Sequence, residues 1–185
     1  MKSNGNPKGK KLHTRKIEVT TYEYDEQRII VEGLLQDEIF QESHAITGET
    51  FPKGIIHHMA IRLLVNCNHL LIEDVDVDLI SMPRDVCRET LACLAPIKGL
   101  TLTGGFFLKI KNIAGGSKGC THLLELLQAM APAVFQGYAA KQTQTPAVSD
   151  PNRAKQMLQW VVNTCHPWRE DGPFVAMSKK NLHME

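Results

Sequence analysis

The sequence has no apolar run long enough to cross a membrane. Runs such as Leu63–Val65 are far shorter than the about 20 residues that a membrane-spanning helix needs. The basic N-terminus is followed by no apolar segment, so no secretory signal peptide is indicated. The sequence therefore predicts a cytoplasmic protein with no membrane partner.

A large excess of charge of one sign is also lacking. The formal net charge is +1 at pH 7 for 185 residues, whereas proteins that mainly grip nucleic acid carry a marked basic excess. The pattern therefore argues against a nucleic-acid partner. Unopposed basic side chains are concentrated in residues 1–16, which contain no acid. This segment predicts a disordered basic tail.

The cysteines lack both an even number and a Cys-x-x-Cys spacing. The chain has five of them, and without an export signal a disulfide framework is not expected. Free thiols therefore remain for packing, catalysis or metal binding. For any single cysteine, plain packing in the core is the commonest outcome, because a free thiol behaves as a small hydrophobe.

What the sequence does contain is a strand pattern in its first half. β-branched residues at 17–21 and 29–31 flank a turn, and a second hairpin is predicted over residues 55–80. From Asp74 to Leu79 aspartate alternates with Val or Leu, so one face of that strand is buried and the other is wet. A calcium loop is disfavoured because Leu79 occupies the position where such a loop needs glycine.

The second half has a helical period. A helix is predicted from Pro83 to Pro96 with a packed stripe of Val86, Thr90, Leu91 and Leu94. Residues 101–113 fit a helix or a strand equally well. A glycine-rich loop then leads into a long helix with one apolar face, formed by Leu123, Leu127, Met130, Val134 and Tyr138. A last helix begins with Asp150 as its N-cap.

These patterns predict an α+β fold in which a small antiparallel sheet packs on helices. The predicted organisation is a disordered tail over residues 1–16 and a single α+β domain over residues 17–185. A C-terminal helical extension is expected to begin at about residue 150.

Two thiols and two imidazoles form the predicted site. Cys87 and Cys120 are expected at helix N-termini, where unpaired backbone N–H groups and the helix dipole lower a thiol's pKa. His122 follows Cys120 closely, and His57 and His58 begin a strand. Because adjacent strand residues face opposite ways, only one of these two histidines should reach the site.

Three functions remain open from these residues. Thiolate and imidazole together are ligands of zinc and of iron–sulfur centres. Alternatively, Cys120 is the nucleophile of a thiol-dependent enzyme, with His57 or His122 as its base and backbone N–H groups as an oxyanion site. A third alternative is a partner-binding module without chemistry. Nucleotide binding is disfavoured because Lys118 precedes Gly119, unlike the order in a phosphate-binding loop.

Two resemblances bear on this choice. A His at a strand start, a Cys after Pro83, and Gly-Cys-Thr-His-Leu at 119–123 resemble an uncharacterised bacterial family of unknown function. Residues 55–140 are also distantly similar in order to the IscU/NifU-type iron–sulfur cluster scaffolds, with Cys87 and Cys120 at the places of the second and third cluster cysteines. Where those scaffolds have their first cysteine, this chain has His57 or His58.

The resulting prediction is a metal-binding or iron–sulfur-handling protein. Its expected ligands are Cys87, Cys120, His57 and His122, and its expected cofactor is zinc, iron or an iron–sulfur cluster. The sequence leans away from an enzyme. An unknown protein partner and a homodimer are both compatible with it. Whether Cys93, Cys165 or His58 joins the site is left open.

Overall fold

Alternation of apolar and polar residues builds a four-stranded antiparallel sheet. The computed structural model describes residues 9–144, 146 and 149–184. Neighbouring strands follow one another in the order β1-β2-β5-β6, and a separate small hairpin is formed by β3 and β4. The strands are β1 His13–Glu23, β2 Arg28–Ile39, β3 Ser43–His44, β4 Thr50–Phe51, β5 Gly54–Asn66 and β6 Leu71–Ser81. The predicted α+β class and both predicted hairpins are confirmed.

Helical segments follow the sheet along the chain. The α-helices are α1 Phe106–Ala114, α2 Thr121–Gln142, α3 Pro151–Val161 and α4 Pro173–Asn181. The longest 3-10 helix is Asp85–Ile97, with shorter ones at Gly116–Lys118 and His166–Trp168. Residues 101–113, for which the sequence left two alternatives, are largely helical. The N-cap at Asp150 is confirmed, since its side chain accepts a hydrogen bond from the Arg153 backbone N–H.

The core lies between one face of the sheet and the apolar face of α2. All five residues of the predicted α2 face are buried. Two glycines allow the close approach. A Cβ at Gly33 of β2 would lie 2.5 Å from the Met130 sulfur, and one at Gly137 would lie 2.6 Å from Thr21 Cβ. A larger residue at Gly137 would collide with the short Thr21 side chain, and one at Gly33 would require the Met130 side chain to move.

Two boundaries differ from the sequence prediction. Residues 13–16, predicted as part of the disordered tail, belong to β1 and pair with residues 36–39 of β2. Their side chains are all polar, so the sequence shows no strand pattern there. Residues 1–8 of that tail lie outside the described residues. The predicted helix at Pro83 begins instead at Asp85.

The helix after β6 also packs differently from the predicted stripe. Leu94 is buried as expected, but Val86 is 57% exposed and Leu91 is 37% exposed. Because a 3-10 helix has three residues per turn, Val86 and Thr90, eight and four residues before Leu94, do not share its face. Leu94 and Ile97, one 3-10 turn apart, are both buried.

The chain divides into two compact units, residues 1–137 and residues 138–185. The first contains the sheet, and the second contains α3 and α4. The predicted single domain with an extension from about residue 150 stays a prediction. Within the described part of the chain, no helix combines the length and the apolar character that crossing a bilayer would require.

Candidate metal centre

The register of the sheet places three functional side chains in one row. Arg15 of β1 is opposite Asp37 of β2, and Asp37 is opposite His57 of β5. A bulge after Asp37 shifts the β2–β5 register at this end of the sheet. Directly opposed residues of antiparallel strands have their Cβ atoms about 5 Å apart. Pairing alone therefore brings a cation, a carboxylate and an imidazole together.

Asp37 is the centre of this site. Only 1% of the residue is exposed. Its Oδ1 accepts a hydrogen bond from Arg15 Nε at 2.8 Å and lies 3.1 Å from His13 Nε2. Its Oδ2 accepts a hydrogen bond from Arg15 Nη2 at 2.7 Å. Burial raises the pKa of this carboxyl, but the hydrogen bonds and charge of Arg15 and the contact with His13 outweigh burial and lower the pKa to about 2. The carboxylate is therefore ionised at neutral pH.

Helix α2 contributes a second imidazole to the site. His122 lies in the first turn of α2, and its Nε2 is 3.4 Å from Asp37 Oδ2. Its ring centroid is 3.9 Å from that of His57. Glu125, three residues further along the same helix, pairs with Arg15 Nη1. The spacing of three places both side chains on one face of α2, directed at β1 and β2.

His57 carries a buried nitrogen that lacks a hydrogen bond. Its Nδ1 is 3.2 Å from Asp37 Oδ2, but the alignment does not make a hydrogen bond, and the atom is sealed from solvent. Burial, followed by the nearby charge of His122, lowers the pKa of His57. The imidazole is therefore held in its neutral form, which is the form that binds metal ions.

Cys120 contacts the outer side of His122. Its Sγ lies 3.8 Å from His122 Nδ1. Burial raises the pKa of the Cys120 thiol, but the hydrogen bond with His122 and the backbone N–H groups of Leu123 and His122 outweigh it, so that the pKa is lowered. The two backbone N–H groups belong to the first turn of α2, so the start of the helix contributes to this lowering together with the His122 side chain.

In a comparison with protein families, residues 13–136 match a family described as a protein of unknown function, DUF2889. The chain belongs to the DUF2889 family. The matched segment contains every residue of the site described above. No curated protein matched the sequence, and no solved structure matched it either. The prediction that the chain belongs to a family of unknown function is thus confirmed. These comparisons do not support the resemblance to the IscU/NifU-type scaffolds. They also do not support the Gly-Cys-Thr-His-Leu run as a motif of the family.

The structure brings part of the predicted ligand set together. Among the described residues, the candidate ligand atoms that converge are those of Asp37, His57 and His122, all within 4.8 Å of one another. Cys120 touches this group through His122. Cys87 lies in the first turn of its 3-10 helix, as predicted, and its backbone N–H bonds to the carbonyl of Arg84. Metal ligation by Cys87 and Cys120 stays a prediction.

The three residues that the sequence left open occupy different places. His58 pairs with Gln36 and Ser81, on the opposite face of β5 from His57, as the alternation of strand side chains requires. Cys165 is exposed and belongs to the second unit. Cys93 lies against the Gly119 backbone, and burial raises the pKa of its thiol.

Sequence reasoning missed Asp37, Arg15, His13 and Glu125. One signal for Asp37 was present in the sequence. Counting by two along β2, Ile29, Val31, Gly33 and Leu35 occupy the core face, and Asp37 is the next position in that series. An acid on the apolar face of a strand needs a charged partner. That partner is Arg15, which the sequence analysis had assigned to a disordered tail.

Proposed function

We propose that this DUF2889 chain binds one divalent transition-metal ion, zinc or ferrous iron, at Asp37, His57 and His122. These three residues are called the Asp–His–His cluster below. Their ligand atoms lie within 4.8 Å of one another, and this convergence carries the proposal. Two imidazoles and a carboxylate are a ligand set of mononuclear zinc and non-haem iron sites, with coordination positions left for water or substrate.

Two of the three separations between the ligand atoms match those around a tetrahedral ion. Bonds of about 2.0–2.1 Å at the tetrahedral angle hold two ligand atoms about 3.3 Å apart. Asp37 Oδ2 is 3.2 Å from His57 Nδ1 and 3.4 Å from His122 Nε2. A cation next to Oδ2 would also give the buried His57 Nδ1 the partner that the protein does not supply.

The protonation states fit metal binding as well. The low pKa of Asp37 keeps its carboxylate charged, and the lowered pKa of His57 keeps its imidazole neutral at pH 7. Metal ligands must be deprotonated, so these two ligands can bind an ion without first having to release a proton.

Residues around the cluster would orient its ligands. Arg15 Nε and His13 hold Asp37 through Oδ1, which leaves Oδ2 as the oxygen for an ion. An ion there would displace Arg15 Nη2, while Glu125 retains the guanidinium through Nη1. When His122 binds through Nε2, its ring proton resides on Nδ1, which faces the Cys120 sulfur. Ligating histidines commonly donate that second N–H to an acceptor.

Titration of the chelator-treated, full-length protein with Zn²⁺ or Co²⁺ tests this proposal. We expect one ion per chain by calorimetry and, for Co²⁺, the visible absorption of a tetrahedral ion. His57→Ala is expected to weaken binding at least about tenfold, because even residues that only support a ligand contribute about that much. His58→Ala, on the opposite face of the same strand, is the matched control and is expected to bind as the wild type does.

Equal affinities of the two histidine variants would contradict the Asp–His–His cluster, as would the absence of stoichiometric binding. Cys87→Ala separates this cluster from the thiolate ligand set that the sequence predicts. The cluster requires Cys87→Ala to retain the ion, whereas a cysteine-ligated zinc or iron–sulfur site requires its loss. Iron–sulfur handling stays a prediction that ultraviolet–visible absorption of anaerobically purified protein would test.

A thiol-dependent enzyme is the second candidate, and one arrangement favours it. Cys120, His122 and Asp37 follow one another in the order nucleophile, base and orienting carboxylate. The sulfur faces Nδ1 of the imidazole at 3.8 Å, and Asp37 faces Nε2 at 3.4 Å. This is the relation by which cysteine nucleophiles are activated, and it is often looser without substrate.

The thiol candidate is tested by alkylation near pH 7 in the presence of a chelator. Because His122 lowers the pKa of Cys120, His122→Ala is expected to slow the reaction of Cys120 with iodoacetamide several-fold. The exposed Cys165 is the internal reference, and its rate should not change. A ratio of the two rates that is the same in wild type and variant would exclude activation of Cys120 by His122.

A further inference from the structure

Cys93 lies directly against the backbone that carries Cys120. A Cβ built on Gly119 would be 3.0 Å from Cys93 Sγ and 3.1 Å from Cys93 Cβ. Only a glycine at position 119 leaves the room for this approach, since real Cβ atoms rarely come so close to a neighbour. The side chain of Cys93, on the 3-10 helix Asp85–Ile97, thus packs against the loop that precedes α2.

The Cys93 sulfur is also tied to Cys120 itself. The backbone N–H of Cys120 is close enough to the Cys93 sulfur to lower the pKa of that thiol, although burial raises it overall. One covalent bond separates that nitrogen from the Cys120 Cα, so the Cys93 sulfur is within reach of the Cys120 side chain. A disulfide needs its two Cβ atoms about 3.5–4.5 Å apart. Both residues are half-buried, so a small oxidant can reach the pair.

We propose that Cys93 and Cys120 form a reversible intramolecular disulfide on exposure to a hydroperoxide. The Cys120 sulfur attacks an oxygen of the peroxide, the O–O bond breaks, and water leaves from hydrogen peroxide as Cys120 becomes a sulfenic acid. The Cys93 sulfur then attacks the Cys120 sulfur. The S–S bond forms, the S–O bond breaks, and a second water leaves. Two thiols are oxidised by two electrons in total, and one peroxide is reduced.

The disulfide would draw the Cys120 sulfur away from His122 Nδ1, which it now faces at 3.8 Å. It would also link the 3-10 helix covalently to the start of α2. The proposal stands without a bound metal ion, because it depends only on Cys93, Gly119 and Cys120. Its success or failure is therefore separate from that of the Asp–His–His cluster.

Peptide mapping of the full-length protein tests the disulfide. The reduced protein is treated with a small molar excess of hydrogen peroxide, and the remaining thiols are blocked. It is then digested with trypsin without reductant. Cys93 and Cys120 fall in separate peptides, residues 89–98 and 119–141, and each of the other three cysteines lies in a peptide of its own. We expect loss of two of the five thiols, a linked 89–98/119–141 species, and recovery of both thiols with dithiothreitol.

Cys165→Ser, which removes the exposed thiol of the second unit, is the matched control and should give the same linked species. Cys93→Ser should abolish the linkage and leave Cys120 open to further oxidation. The wild-type map decides the question even if Cys93→Ser does not fold. A linkage between any other pair of cysteines would overturn the proposal. So would oxidation of Cys120 to the sulfinic acid in wild-type protein while Cys93 remains a free thiol.

Discussion

Asp37→Asn is expected to lower the free energy of unfolding by about 2–3 kcal/mol at pH 7. The asparagine keeps the size of the side chain but removes the charge that pairs with Arg15 at 2.7 and 2.8 Å. It also turns an acceptor-only group into one with an amide donor, which would oppose a guanidinium inside the protein. The expected loss is below that of a fully buried pair, because the Arg15 side chain is 31% exposed.

Urea denaturation followed by circular dichroism measures this change. Asp76→Asn is the matched control, because Asp76 lies on the wet face of the sheet, 74% exposed, and pairs loosely with Arg62 at 3.5 Å. It should leave the unfolding curve unchanged. If the two variants unfold alike, Asp37 is not the electrostatic centre of the site.

The Asp37→Asn variant also tests the Asp–His–His cluster. It should weaken Zn²⁺ binding more than about 100-fold relative to Asp76→Asn.

Acid should remove the stabilisation that Asp37 provides. The pKa of Asp37 is lowered from 3.8 to about 2 in the folded protein. A carboxyl with a lowered pKa stabilises the fold above its unfolded pKa, and that contribution disappears as the pH falls through its folded pKa. The wild type is therefore expected to lose about 2 kcal/mol through this group between about pH 4 and about pH 2.

The measurement compares wild type with Asp37→Asn across this pH range, because carboxyl groups that contact neither Asp37 nor Arg15 titrate alike in both proteins. The stability difference should be largest above about pH 4 and should shrink as the pH approaches 2. A difference that is constant down to pH 2 would show that Asp37 is not held ionised by Arg15 and His13. Salt should change the result little, since the carboxylate is buried and poorly screened.

Local sequence patterns predicted most elements of the fold. The alternation in β6 and the apolar face of α2 need only the neighbours of each residue, and both are confirmed by the burial of Leu79 and Leu127. Patterns failed where the local signal was weak. The polar start of β1 has no alternation of apolar and polar residues. After Pro83 the sequence pattern does not distinguish a 3-10 helix from an α-helix.

Two of the three residues of the proposed Asp–His–His cluster were among the ligands that the sequence predicts. His57 and His122 were identified because imidazoles near a strand start and a helix start are chemically conspicuous. Arg15 was not identified, because a basic residue in a polar N-terminal segment resembles a solvated charge. Cys93 was left open because its position against Gly119 depends on contact between segments far apart in the chain. A protein partner and a homodimer stay predictions from the sequence.

The sequence by itself determined that this chain forms strands first and helices later, and that thiols and imidazoles stand at the ends of these elements. Those properties follow from periodicity and from local backbone chemistry. The tertiary structure alone decided that Asp37 lies next to His57 and His122, and that Cys93 lies against the Gly119 backbone, next to Cys120. Strand register and the packing of α2 on the sheet depend on contacts between segments that are far apart in the chain. No local sequence pattern encodes these contacts.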